Sequence, residues 1–203
     1  MLTNNVEIKA EKLNSYEWKV KDLVIDDKIG TFSKVFQNHG GYFFAVDRKA
    51  LYDTMSGIVK GRSSLVYTNL RAEYEEIVKK LGLDRVIRLD KNSKVDAKKA
   101  LFDVEVGIME PDALAAESGS IILFDFDATK SFVAFLPEIF IAIADESLMY
   151  DTVPEAVGAL IKKHNRLPAT IQIVNGPSRT GDIENKIVRP SHGPKDAYLI
   201  MVR

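Results

Sequence analysis

No cysteine occurs anywhere in the 203 residues. Structural disulfides, thiolate-held zinc and iron–sulfur clusters bound in the usual way are thereby excluded. Redox chemistry on this chain would need a partner or a diffusible cofactor. An excess of either charge is also missing: 28 Lys+Arg against 29 Asp+Glu leave a formal net charge of -1. General nucleic-acid binding needs a basic surface to neutralise phosphates and is not expected. No apolar run approaches the roughly 18 residues of a membrane-spanning helix. The amino terminus, "MLTNNVEIKAEKLNSYEWKV", is polar and charged and does not read as a secretory signal. A cytoplasmic location fits these absences.

The hydrophobic fraction of 46% and charged fraction of 28% are those of a soluble globular chain, and the length suits one domain. Residues 1–30 are charged and weakly periodic, and read as a helical or irregular arm. From residue 31 to 203 short apolar runs alternate with helical patterns. "GYFFAV" (41–46), "SSLVYT" (63–68) and "DRVIRL" (84–89) read as strands. Between them, "DRKALYDTMSGIVKG" places Leu51, Met55 and Ile58 on one helical face, and "LRAEYEEIVKKLG" is a helix stopped by Gly82. "KNSKVDAKKALFD" reads as a polar linking helix or loop.

The second half keeps this rhythm. "VEVGIM" is a strand and "EPDALAAESG" a short helix with Pro111 in its first turn. "SIILFDF" (120–126) and "SFVAFLPEIFIAIA" (131–144) are strands around a turn at "DATK". An amphipathic helix, "VPEAVGALIKKHN", turns Val153, Val157, Leu160 and Ile161 inward. "ATIQIV" is a strand, "TGDIENKIV" a helix of about two turns, and "AYLIMV" a closing strand. Doubly apolar strands alternating with helices predict an α/β domain with a mainly parallel sheet and flanking helices.

Ligands in open α/β sheets sit at the carboxyl ends of strands, where loops run into helices. "NGPSRTGDIE" is one such segment. Ser178, Thr180, backbone N–H groups and the Arg179 guanidinium together suit a carboxylate or phosphate. Asp182 and Glu184 favour the helix dipole but repel an anion, unless one of them pairs with Arg179. An ordinary connector explains the same residues. "DALAAESGSI" is the second segment: Glu117 before Gly119 is a candidate base, nucleophile or partner to Arg179, or simply an exposed helix-end carboxylate.

"IILFDFDAT" resembles the first motif of haloacid-dehalogenase-type phosphatases, with Asp125 and Asp127 as its acids. It lies past mid-chain with no later acidic pair, and a β-turn explains it. The three histidines are His39, His164 and His192. His192 with Asp182 and Glu184 matches no familiar ligand spacing, so no metal site is expected. His192 reads instead as a cleft-edge hydrogen-bond donor titrating near neutrality.

Taken together, "GIMEPDALAAESGSIIL", "FLPEIFIAI" and "GPSRTGDIENKIVRPSHGP" resemble, in letters, order and spacing, the LUD-domain family of the lactate-utilisation C proteins. The match is strong over residues 104–203 and architectural over 31–103. The resemblance implies a Rossmann-like fold similar to the NagB/ribose-5-phosphate isomerase/CoA-transferase superfamily. It implies a part in oxidising L-lactate to pyruvate, with iron–sulfur clusters on partner proteins and no cofactor on this chain. Carried over residue by residue, the cleft comprises Glu117, Ser118 and Gly119, then Gly176, Ser178, Arg179, Thr180, Asp182 and Glu184, then His192 and Gly193. Glu117 and His192 would move protons, and Arg179 would bind the substrate carboxylate.

Four departures stand out. Ser131 occupies a position where relatives often carry Arg, Phe140 one where they often carry His, Gly181 replaces Ala, and "RPSHGP" replaces Gly-Val-His-Gly-Pro. Two alternatives therefore stay open. One is a stand-alone enzyme on a phosphorylated sugar or CoA ester, since Glu117-Ser118-Gly119 is similar to the Glu-x-Gly setting of CoA-transferase nucleophiles. The other is a non-catalytic scaffold or regulator.

Overall fold

A computed structural model describes residues 23–90, 101, 103–179 and 193–203. Helix α1 (Lys28–Asn38) comes first, a helix that the sequence pattern did not announce. Asp27 starts it by accepting the Gly30 N–H at 2.8 Å, and Phe32 and Phe36, one turn apart, bury its inner face. Then follow β1 (Tyr42–Val46), α2 (Leu51–Ile58), β2 (Ser64–Thr68), α3 (Ala72–Lys80), β3 (Arg85–Arg88) and β4 (Val106–Met109). The remainder is β5 (Ala113–Ala115), β6 (Ser120–Asp125), α4 (Thr129–Phe135), β7 (Ile139–Asp145), β8 (Met149–Tyr150), α5 (Val153–His164), β9 (Thr170–Val174) and β10 (Asp196–Val202).

Six strands form one sheet in the order β1-β10-β7-β4-β2-β3, every neighbouring pair parallel. The expected parallel α/β core is therefore present. Its strands β2, β4 and β7 are buried on both faces, as a covered parallel sheet requires. One face packs against Leu51 and Met55 of α2 and Tyr74 and Val78 of α3. The other packs against Phe32 and Phe36 of α1 and Val133 and Ala134 of α4.

A second, four-stranded sheet has the order β8-β5-β6-β9. Here β6 runs antiparallel to both β5 and β9. Leu114, Ile121 and Leu123 join the α1/α4 layer, while Ala113, Ala115, Ile122 and Phe124 face Ala156, Leu160 and Ile161 of α5. Val153 and Val157 pack at the edge of that last cluster, so the expected apolar face of α5 holds.

Two local assignments are overturned. "EPDALAAESG" is not a helix: Ala113–Ala115 is a strand buried on both faces between layers, and ladder hydrogen bonds to β6 outweigh the helical preference of alanine. Thr129–Phe135 is a helix rather than the start of a strand, and β7 begins only at Ile139. The Asp125 carboxylate accepts from Ser131 N at 2.7 Å and Ser131 Oγ at 2.6 Å, and Asp127 accepts from Thr129 N at 3.1 Å. These acceptors satisfy the first amides of α4. "TGDIENKIV", with its expected helix, and most of "KNSKVDAKKALFD" lie outside the described residues.

Glu105 ties the amino ends of β2 and β4 together, accepting from Ser63 N at 2.7 Å and Ser64 N at 3.2 Å. The Ser63 N–H above all holds its carboxyl below the usual 4.5, against the opposing pull of burial. A carboxyl lowered on folding contributes stability above its unfolded value and loses it as pH falls through the folded one. Urea midpoints should therefore hold steady from neutrality to about pH 5 and decline below it. Glu105→Gln should flatten that decline; equal acid slopes in both proteins would remove Glu105 from the account.

Candidate functional site

Strand β9 ends at Val174, and Asn175 makes the next contact. Its Nδ2 donates to the Ser118 carbonyl at 2.9 Å and to Ser120 Oγ at 2.8 Å. "ESGS" and "NGPSR", 57 residues apart at this contact, are thus brought side by side. Ser118 Oγ and Ser120 Oγ share a hydrogen bond of 2.7 Å. Gly176 (φ 138°) lies against the His39 carbonyl, at the end of α1. Ser178 N donates to the Pro194 carbonyl at 2.8 Å, and a Cβ on Gly193 would stand 2.9 Å from Ser178 Cβ. The Arg179 guanidinium lies over Gly40, where any side chain would displace it.

Ser118, Gly119, Gly176, Ser178, Arg179 and Gly193 therefore gather around the carboxyl end of α1. Arg179 is exposed and has no ion-pair partner among the described residues. Glu117 points elsewhere: one carboxylate oxygen accepts the Val153 N–H at 3.0 Å, at the start of α5. Its own N–H donates to the Asp151 carbonyl. Thr180, Asp182, Glu184 and His192 lie outside the described residues. Of the departures, Ser131 serves Asp125 as a donor, and Phe140 is fully buried in the core of β7, where it packs instead of binding.

This gathering sits at the amino ends of β1 and β10, because Gly40 precedes Tyr42 and Pro194 precedes Asp196. The strand whose carboxyl end it follows, β9, belongs to the smaller sheet. The carboxyl edge of the parallel sheet carries a different set of polar groups. Arg71, following β2, donates from N and Nε to Glu110 after β4, at 2.6 and 2.5 Å, and from Nη2 to Asp145 at the end of β7, at 3.0 Å. The guanidinium also lies 4.9 Å from the Tyr74 ring centroid. Burial opposes the charge on Arg71, but the bonds to Asp145 and Glu110 prevail and raise its pKa. The Asp145 carboxyl is held low, chiefly by the Ser147 hydroxyl and then, against burial, by Arg71.

Beside this network opens a cleft of about 450 Å³. Thr68 and Asn69 close it from β2, Asp112 from the start of β5, and Lys130, His164 and Arg166 from α4 and the end of α5. Lys130 Nζ bonds both Asp112 oxygens, at 2.7 and 2.5 Å, while Phe124 N also donates to Asp112. The His164 ring lies against Phe124 and Phe126, with centroids 5.9 and 5.2 Å away, and burial pushes its pKa down. Arg166 covers the Phe126 ring at 4.0 Å. Neither Asp112 nor Arg166 stands out as a site residue in the sequence. Nothing linear connects residues 112, 130, 164 and 166, so no spacing signals this grouping. The acids of "DFDAT" border the same cleft, but as acceptors for the start of α4, which is the turn reading of that motif.

A parallel six-stranded sheet with a mixed second sheet and flanking helices defines a Rossmann-like α/β fold. The chain belongs to the LUD-domain family: the sequence model of the LUD domain matches residues 31–202. It is similar to lactate utilization protein C of Geobacillus sp. (strain WCH70), 36% identical over 100 residues covering 48% of this chain and 42% of the relative. Lactate utilization protein C of Anoxybacillus flavithermus is 25% identical over 168 residues, covering 79% of this chain and 73% of the relative. The match with the first of these spans less than half of the relative's length. A crystal structure of a DUF162 family protein from Deinococcus radiodurans shares the fold, with a TM-score of 0.65 at 17% identity over 89% of this chain and 99% of that one. No helix among the described residues is long and apolar enough to cross a membrane.

Proposed function

We propose that this LUD-domain chain is a component of a lactate-utilisation system, holding a small carboxylate at Arg179. The reading rests on one observation above others: Asn175 joins the two family segments, and the Arg179 guanidinium beside them has no carboxylate partner among the described residues. A guanidinium is suited to a planar carboxylate, which it can grip with two parallel hydrogen bonds. Oxidation of L-lactate to pyruvate releases two electrons and two protons. Without cysteine this chain holds no cluster in the usual way, so the electrons go to iron–sulfur clusters on partner subunits. His192 takes one of the two protons and water the other, since the Glu117 carboxylate is turned to the Val153 N–H.

The chain mixed with its iron–sulfur partner subunits should support lactate-dependent reduction of a dye. Arg179→Ala should cut that rate at least about tenfold at low lactate, the effect of losing one charge-assisted contact. Full activity in Arg179→Ala would sink the assignment of this residue. Thermal stabilisation by CoA or sugar phosphates, but not by lactate or pyruvate, would favour a stand-alone enzyme instead.

A further inference from the structure

The carboxyl-edge cleft lies at the opposite end of the parallel strands from the gathering around Arg179, and its position follows from the strand order. After β2 the chain leaves through α3, which packs on one face of the sheet, and returns as the edge strand β3. After β4 it leaves through the second sheet and α4, on the other face, and returns as β7 in the opposite direction along the sheet. The two connections that follow the paired carboxyl ends of β2 and β4 therefore part to opposite faces of the sheet, and such a point is where ligands enter open α/β sheets. Thr68, Asn69 and Asp112 stand at that parting.

Four carboxylates border the cleft, and each already has donors. Asp112 is held by Lys130 and Phe124 N, Asp125 by Ser131, Asp127 by Thr129 N, and Asp90 lies 3.9 Å from Arg88. The surplus is on the donor side. Lys130 spends two of its three N–H groups on Asp112, and both side chains of this pair are largely buried, at 15% and 12% exposure. His164 Nε2 is buried without any hydrogen-bond partner. Arg166 has the Phe126 ring beneath it and no carboxylate partner among the described residues. A buried ring nitrogen left unpaired is costly, and the His164 ring that carries it belongs to the lining of the cleft, as do Lys130 and Arg166 with their unspent donors.

We infer that this cleft is a second binding site, taking a compact anion with two or more acceptor oxygens, a carboxylate or a phosphate ester, between Lys130, His164 and Arg166. Arg166 supplies the fork, Lys130 a point charge fixed by Asp112, and His164 a ring donor at the wall. The volume of about 450 Å³ lies within the range of small-molecule sites.

The test is titration of the full chain with inorganic phosphate and, separately, with pyruvate, read from the histidine ring NMR signals; His164→Gln identifies the His164 resonance. At least one anion should shift that resonance saturably. Arg166→Ala should weaken the binding about tenfold, Arg166→Lys less, and Arg179→Ala should leave it unchanged. Response to phosphate alone assigns a phosphate ester, and to pyruvate alone a carboxylate. If neither anion moves the resonance, or if binding survives Arg166→Ala but falls in Arg179→Ala, the second site does not exist. Loss of lactate-dependent activity in Arg179→Ala bears only on the first site, so the two readings fail separately.

Discussion

Gly119→Ala should destabilise the chain by about 2–4 kcal/mol, shifting the denaturant midpoint with little change in slope. Two costs combine. Gly119 has φ 59°, the left-handed region, where a side chain costs roughly 1–2 kcal/mol. Its Cβ would also stand 2.6 Å from Phe36 N and 3.0 Å from Phe36 Cα, which are backbone atoms of α1 and cannot swing aside. Relief requires α1 to lift from the sheet, and with it the rings of Phe32 and Phe36. Gly119 lies in the family segment "AESGS", so a loss of activity in this variant invites a catalytic explanation. Activity per folded molecule separates the two: it should stay near normal at low temperature while the folded fraction falls. A midpoint unchanged within about 0.5 kcal/mol would show that the turn does not lie against α1 as described.

Glu110→Ala should be comparably damaging, at roughly 2–3 kcal/mol. The residue is 9% exposed and accepts both the Arg71 amide and its Nε. Truncation strands a backbone donor and leaves the guanidinium with Asp145 as its nearest remaining acid. Breaking a fully buried pair costs more, but the Arg71 side chain is 38% exposed and water softens the loss. Glu110→Gln, which keeps the shape and one acceptor, should lose about half as much. The connections after β2 and β4 meet through this carboxylate, so Glu110→Ala should also raise amide exchange at Asn69–Arg71 relative to the sheet interior. An Ala variant as stable as the parent would show that the Arg71 cluster is held by Asp145 alone.

Much of the architecture was legible because periodicity reports burial. The runs 64–68, 106–109 and 197–202 are mainly apolar without strict alternation, as covered parallel strands are, and all lie in the six-stranded sheet; 42–46 looks alike but forms its largely exposed edge strand. The helices at 51–58, 72–80 and 153–164 showed one-sided patterns for the same reason. "DALAAE" was misread because alanine is small enough for either geometry, and its environment decided: two covering layers and a free ladder edge on β6. "SFVAF" reads as the start of a strand because its aromatic and branched residues favour strands, while the helix there is started by carboxylates that precede it, Asp125 and Asp127.

By itself the sequence determined the class of fold, the membership of its second half in a family, and the exclusion of cysteine chemistry. These depend on composition and on local order, which are linear properties. It also marked "ESGS" and "NGPSR" as belonging together. Only the tertiary structure decided that Asn175 joins them, that Glu117 turns to α5, and that they lie at the amino end of the parallel sheet. It alone assembled Asp112, Lys130, His164 and Arg166 around the opposite edge. The reason is physical: a strand's partners, and hence which of its ends opens into a cleft, are set by hydrogen bonds between segments distant in the chain.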